Sequence, residues 1–329
     1  MSLIVAIWSE DSARMANEDV ASRMARLRNH LLQITHATTP TFIVFIAAEF
    51  LFMHGRSDAK QIRWYSPSER DEALHGLAEA SRIFRRTLLV GGSVCWAEQA
   101  RKGDEKSEWC VHNEAPIHYD GQQLALYGKR HGGGEVLPED ALRLYRQRCG
   151  SFEKKMHVRK DKDGADGTPR YRSVRAAGSM GDLAAMAGNT VRRGPGGTLL
   201  PAAPGIQKAM DRYQGRYRFA PGNDEPSFGI PDGTFTAGIE ICQEHNLAAL
   251  RSNSTRGAVN FHLLVSNTVG HLQASENLLS PGFFIHAKAG SAPELVILDG
   301  AHRTAVAADQ WTQLGPHLHY IALDMPEGL

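Results

Sequence analysis

Three side chains of different chemistry stand at the ends of three apolar runs in this chain of 329 residues. Glu49 follows Phe42-Ile43-Val44-Phe45-Ile46-Ala47-Ala48, Lys129 follows Leu124-Ala125-Leu126-Tyr127-Gly128, and Cys242 follows Phe235-Thr236-Ala237-Gly238-Ile239-Glu240-Ile241. The end of a buried strand, just before a turn, presents a side chain while holding it rigid. A thiolate is a better nucleophile than a hydroxyl, but an ordinary cysteine is mostly protonated at neutral pH. It needs a base, and Glu49 can be one where burial raises its pKa toward neutrality. Attack on an amide carbonyl or a nitrile carbon builds negative charge on oxygen or nitrogen. Lys129 can stabilise that charge, with the backbone N–H of Gln243 beside it. Covalent chemistry at Cys242 is therefore the expectation, with Glu49 as general base and Lys129 as electrostatic stabiliser.

Taken singly, each residue has a plainer role. A cysteine in an apolar strand is usually a small core hydrophobe. Glu49 alone reads as a surface residue and Lys129 alone as a solvated lysine. Cys95 competes as a nucleophile, because Gly92-Ser93-Val94-Cys95-Trp96 loosely matches the stretch around a papain-type cysteine, with His245 and Asn260 or Asn267 downstream. Valine interrupts that match, and Cys95 lies well inside the chain, so a core role is the simpler account. Cys110 and Cys149 have no catalytic context. The four cysteines form no C-x-x-C pair. That argues against a zinc ribbon or a disulfide scaffold and suits a reducing cytoplasm.

The elements that must position these groups follow from hydrophobic pattern. Leu3–Trp8 reads as a buried strand. Val20, Met24, Leu27, Leu31 and Ile34 make one helical stripe within Ser12–Ile34. Thr41–Ala48 reads as a strand, Pro67–Phe84 as a helix and Thr87–Ser93 as a strand running into glycines. Val111–Ile117 and Leu124–Lys129 flank an Asp120-Gly121 hairpin signal. Further strands are expected at Thr234–Cys242, Phe261–Val265, Gly282–Ala287 and Glu294–Leu298. The alternation of strands and helices predicts an α/β (α+β) fold in a single domain over 1–329. From about 143 to 215 the chain is rich in Arg, Lys, Gly and Pro, as in Arg192-Arg193-Gly194-Pro195-Gly196-Gly197, and reads as an insertion or lid.

Four motifs in order add to the three residues. They are Asn113-Glu114-Ala115-Pro116 leading to Asp120-Gly121, Tyr127-Gly128-Lys129-Arg130-His131, Phe219-Ala220-Pro221-Gly222-Asn223-Asp224, and Ile241-Cys242-Gln243-Glu244. At these positions the chain resembles the nitrilase, or carbon–nitrogen hydrolase, superfamily, over roughly residues 1–140 and 215–300. The resemblance implies a four-layer α-β-β-α sandwich and a Glu-Lys-Cys triad. It also implies acyl-enzyme hydrolysis of amides, nitriles or carbamoyl compounds without a metal or organic cofactor. A second glutamate after the lysine is implied too, either Glu135 or Glu139, and so is a homodimer or higher homo-oligomer. The lysine-to-cysteine link is longer than usual for the family. Gln243 stands where nitrilases often have Trp, which favours an amide over a nitrile. Ser252-Asn253-Ser254-Thr255 stands where a longer helix is expected.

Composition narrows the alternatives. Lys and Arg number 37 against 36 Asp and Glu, so net charge gives no bias toward nucleic acid or membrane. The basic insertion is the one feature that suits a nucleic-acid or acidic-partner binding protein, and its plainer role is a solvated loop. No apolar run approaches the ~18 residues of a membrane span, and Glu10 and Asp11 follow the apolar start too early for a signal peptide. The expectation is a cytoplasmic hydrolase acting on a small molecule.

Overall fold

The computed structural model describes residues 2–15, 18–38, 41–54, 64–100, 109–132, 135, 191–193, 199–201, 217–231 and 235–324. The chain opens with β1 (Ser2–Trp8), α1 (Val20–Ala37), β2 (Phe42–Ala47), α2 (Pro67–Ala80), β3 (Thr87–Val90) and β4 (Val94–Gln99). The hairpin β5 (Trp109–Tyr119) and β6 (Gln122–Gly128) follows, then the short strands β7 (Val191–Arg193), β8 (Leu199–Pro201), β9 (Tyr217–Phe219) and β10 (Ser227–Gly229). The second half holds β11 (Thr236–Ile241), the short helices α3 (Gln243–Asn246) and α4 (Ala249–Asn253), β12 (Val259–Ser266), β13 (Leu278–Lys288) and β14 (Glu294–Asp299). β15 (His302–Ala305), β16 (Thr312–Gly315) and β17 (Leu318–Asp324) close it.

Two sheets form. One runs β16-β17-β1-β2-β3-β5-β4, with β6 and β9 also on β5, and the other runs β10-β11-β12-β13-β14-β15. Side-chain alternation explains how both faces of β1 and β2 are buried. Leu3, Val5 and Ile7 of β1, with Phe42, Val44 and Ile46 of β2, face a core shared with Ile239, Ile241, Leu263, Val265 and Ile285 of the second sheet. Ile4, Ala6, Trp8, Ile43 and Phe45 face Met24, Leu27, Leu31 and Ile34 of α1 and Leu77 of α2. Helices, sheet and sheet thus stack in that order, and α3 and α4 lie beyond the second sheet, where Leu250 packs on Gly238 of β11.

Several boundaries differ from the sequence expectation. The first helix begins at Val20, not Ser12, because the Asp19 side chain caps it by accepting Ser22 N–H at 2.8 Å. The second stops at Ala80. Its start is as expected: Pro67 follows Ser66, which forms a capping box with Glu69. The hairpin turn takes positive φ at both Asp120 (48°) and Gly121 (82°), the primed geometry that matches strand twist. β4 and β15–β17 were not expected. β17 pairs with all seven residues of β1 and so completes the first sheet with the end of the chain. Apart from β7 and β8, the basic insertion at 143–215 lies outside the described residues. No helix among the described residues is long and apolar enough to cross a membrane.

Candidate active site

Glu49 lies just past β2, where Phe50 adopts φ 61° and turns the chain. Ser93 catches the turn: its Oγ accepts Phe50 N–H at 3.0 Å and its carbonyl accepts Phe52 N–H at 3.1 Å. Gly92 is required there. Its φ is +81°, and a Cβ would lie 2.3 Å from the Ala48 carbonyl oxygen. From the helix side the buried Arg23 guanidinium donates to the carbonyls of Leu51 (2.5 Å), Met15 (2.7 Å) and Glu18 (3.2 Å).

Lys129 immediately follows β6. Its N–H donates to the Asn113 carbonyl at 2.8 Å, and its carbonyl accepts Gly222 N–H at 2.9 Å. Asp224 accepts Gly128 N–H at 3.0 Å. The Pro221-Gly222 motif thus has a mechanical reason. A Cβ on Gly222 would lie 2.2 Å from the Gly128 carbonyl oxygen, so only glycine lets this segment lie against the lysine strand.

Cys242 ends β11 and precedes α3, with φ 54° and ψ −107°. Such a backbone costs a non-glycine residue about 1–3 kcal/mol and is held only by its surroundings. Cys242 N–H donates to Val265 O at 2.9 Å, and Cys242 O accepts His245 N–H at 3.1 Å. Glu244 adds a side-chain brace: it accepts Ile241 N–H at 2.9 Å, Arg130 N–H at 2.5 Å and Tyr127 O–H at 3.1 Å. One carboxylate therefore ties the residue before Cys242 to the residue after Lys129. Burial raises the Glu244 pKa to about 7, although the Arg130 and Ile241 amides pull it down. Gln243 is the first residue of α3, where helix N–H groups have no partner within the helix.

The three groups meet at the buried junction of the two sheets. Lys129 Nζ donates to Glu49 Oε1 at 2.9 Å and also to Glu135 Oε1, with all three side chains at most 1% exposed. Asn113 Nδ2 donates to both of the same oxygens, at 3.0 Å to Glu49 and 2.9 Å to Glu135. Glu49 Oε2 accepts Asn267 N–H at 3.0 Å. Cys242 Sγ lies 3.9 Å from Thr268 Oγ1, close enough to Glu49 and Lys129 for both charges to act on the thiol. Of the two glutamates left open by the sequence, Glu135 is here; Glu139 lies outside the described residues. Trp64 fixes Glu135 from behind by donating Nε1–H to its carbonyl at 2.8 Å.

Charge decides the resting state. Burial raises the Glu49 pKa; Lys129 pulls it down and Glu135 adds to the rise. Burial opposes the Lys129 ammonium, but Glu49 and Glu135 outweigh it and hold the ammonium above the ordinary lysine value. Burial, then the Glu49 charge, raises the Cys242 pKa, while Lys129 and the amides of Asn267 and Thr268 oppose the rise. Two carboxylates and one ammonium already leave one net negative charge, so sulfur rests as a thiol beside an acceptor for its proton.

Glu240, His245 and His262 form a second buried cluster, on the outer face of the second sheet, with ligand-type atoms within 4.8 Å of one another. Glu240 Oε2 meets His245 Nδ1 at 2.6 Å and His262 Nε2 at 3.0 Å. The remote nitrogens accept backbone N–H groups: His245 Nε2 from Leu272 at 3.0 Å and His262 Nδ1 from Asn277 at 3.2 Å. The near nitrogens therefore carry the hydrogens and donate to Glu240, which also accepts Leu250 N–H at 2.7 Å. A metal would need the near nitrogens bare and the remote ones protonated, against two backbone donors. The residues do not fit a metal; they fit a brace for the chain after Cys242. His245 is committed to it, and Cys95 is buried in the first sheet with Phe50, Met53 and Val111, so no papain-like pair forms.

Asn113, Asn267, Glu240 and Glu244 carry roles that the sequence reading did not assign. Glu240 had a signal, a carboxylate between two core isoleucines, and so did Glu244, two residues past the cysteine. Asn267 acts through its backbone and had none.

No protein-family model and no curated protein sequence matches the chain. Comparison with solved structures returns Saccharomyces cerevisiae Nit3, a member of branch 10 of the nitrilase superfamily, at 12% identity and TM-score 0.48, covering 98% of this chain and 90% of that one. It also returns a carbon–nitrogen hydrolase from Helicobacter pylori G27 at 11% identity and TM-score 0.47, covering 98% and 88%. A third is a variant of the amidase from Nesterenkonia sp. AN1 at 12% identity and TM-score 0.46, covering 99% and 93%.

Proposed function

We propose that this chain is a carbon–nitrogen hydrolase of the nitrilase superfamily that cleaves a non-peptide amide through a thioester on Cys242. One observation carries this reading: Glu49, Lys129 and Cys242, from the ends of β2, β6 and β11, meet in one buried cluster, where Lys129 pairs with Glu49 and both charges act on the Cys242 thiol. As Cys242 sulfur bonds to the amide carbon, its proton passes to Glu49 and the carbonyl π pair moves onto oxygen. Lys129, with the Gln243 N–H, stabilises that oxyanion. Glu49 then protonates the nitrogen, the C–N bond breaks, and ammonia or an amine leaves. Water attacks the thioester with Glu49 again as base. The C–S bond breaks, the acid departs and the thiol is restored. Net charge at the cluster stays constant through the first step, because the thiol proton neutralises Glu49 as the oxyanion forms. Glu135 supports the lysine throughout.

The test is a panel of amides, N-carbamoyl compounds and nitriles assayed for ammonia, with wild type beside Cys242→Ala. Wild type is expected to turn over at least one amide, and the variant none. A trapped acyl adduct is expected on Cys242 by mass spectrometry. Equal ammonia from both proteins, or an adduct on Cys95, would sink the reading.

A further inference from the structure

Asn113 lies on β5 and is 1% exposed. Its Nδ2 and Lys129 Nζ donate to the same pair of oxygens, Glu49 Oε1 and Glu135 Oε1. Two donors and two acceptors thus alternate around one small ring, with one donor charged and the other neutral. The amide cannot be turned over, because Oδ1 would then meet two carboxylate oxygens. Both N–H groups stay inward even though Oδ1 is left buried without a hydrogen-bond partner.

The chemistry explains why the second donor is neutral. Glu49 faces Glu135, Lys129 and Cys242, with the Asn267 N–H on its other oxygen. An apolar residue at 113 would leave one ammonium to hold two desolvated carboxylates, which favours a protonated Glu49. A second cation would hold Glu49 so firmly ionised that it could not take the thiol proton. A carboxamide stabilises the carboxylate by hydrogen bonds while adding no charge. We propose that Asn113 is a positioning residue for the reaction: it keeps Glu49 ionised and fixed beside the Cys242 thiol. This rests on the reading of Glu49 as the base toward Cys242.

The test needs no substrate. The full chain is alkylated with iodoacetamide across a pH series, and the Cys242 peptide is followed by mass spectrometry. Four proteins are compared: wild type, Glu49→Gln, Asn113→Ala and Asn113→Leu. Leucine keeps the branched shape of asparagine, so a poorly folded alanine variant does not end the test; thermal melts report folding for each. In wild type the rate is expected to fall on the acid side as Glu49 takes up a proton, and Glu49→Gln should move that limb to the alkaline pH at which the thiol ionises unaided. Both Asn113 variants should keep it with a midpoint about one pH unit higher, hence a roughly tenfold slower rate well below it. A folded Asn113 variant whose midpoint stays at the wild-type pH would leave Asn113 a packing residue and overturn the proposal. A limb that stays at the wild-type pH in Glu49→Gln would remove the base itself, and the proposal would fall with the reading beneath it.

Discussion

Lys129 is one ammonium between two carboxylates, all three nearly inaccessible to water. Removing one partner of such a group costs about 3–5 kcal/mol, because the remaining charges stay buried. Lys129→Met keeps most of the side-chain volume and removes the charge. It should lower stability by about that amount, and loss of an oxyanion donor should slow turnover by at least ~10²–10³. The two effects can be separated. Adding Glu135→Gln removes one of the two unpaired negative charges, so the double variant should regain part of the stability and none of the activity. Urea unfolding beside the ammonia assay checks both; a Lys129→Met protein as stable as wild type would refute the charge argument. Glu49 and Lys129 were legible because each ends an apolar run; Glu135 follows three glycines and was offered only by the resemblance, with Glu139 as its alternative. What lay beyond reach was the neutral work, such as the Asn113 amide and the Asn267 N–H, since a hydrogen bond between distant segments leaves no local pattern.

Each catalytic candidate sits where the backbone is constrained at the end of a strand, so small residues near those ends matter as much as the groups themselves. Gly222 is the clearest case, because any Cβ there would strike the Gly128 carbonyl. Gly222→Ala must push the Pro221–Asp224 segment away from β6. That loosens the bond from Gly222 N–H to Lys129 O and the bond from Gly128 N–H to Asp224. Overpacking of this kind typically costs about 1–3 kcal/mol. Because the strain falls beside Lys129, activity should drop more than stability, with the loss in kcat. Steady-state kinetics with a substrate found in the panel checks this; wild-type kcat would show that the close approach has no bearing on the lysine. The glycine motif was visible in the sequence, and its reason was not. Strands buried on both faces, such as β1 and β2, announced themselves as unbroken apolar runs. β15–β17 did not, because polar, exposed residues alternate through them. The first helix was drawn too long because its apolar stripe gave no sign that Asp19 would cap it.

At the scale of the molecule, the two sheets bury an apolar core between them and leave the polar chemistry to their margins. The outer face of the second sheet is one such margin. There the segment between β12 and β13 carries Asn267 to Glu49 and is pinned a few residues later by His271. Both ring nitrogens of His271 meet carboxylates, Glu294 at 2.8 Å and Glu276 at 2.5 Å, and the ring stacks on Phe284 at 4.2 Å between centroids. Burial opposes the charged ring, but Glu276 and Glu294 outweigh it and raise the pKa from 6.5 to about 9. The carboxyls are pulled down to about 2, against burial, by His271 with Arg303 or His286. A raised histidine adds stability that is complete below its unfolded value of 6.5 and lost as pH climbs through about 9. A depressed carboxylate adds stability present above 4.5 and lost as pH falls toward 2. The clamp therefore acts most strongly between about 4.5 and 6.5. His271→Gln has no titrating ring. Its melting midpoint should fall below wild type by a few degrees at about pH 6, and the gap should close as pH approaches about 9. A gap that stays constant from pH 6 to 10 would mean that His271 packs without pairing as a cation. The same variant should weaken the hold on Asn267, so the alkylation rate of Cys242 should change with the melting curve even though His271 touches neither Glu49 nor the thiol.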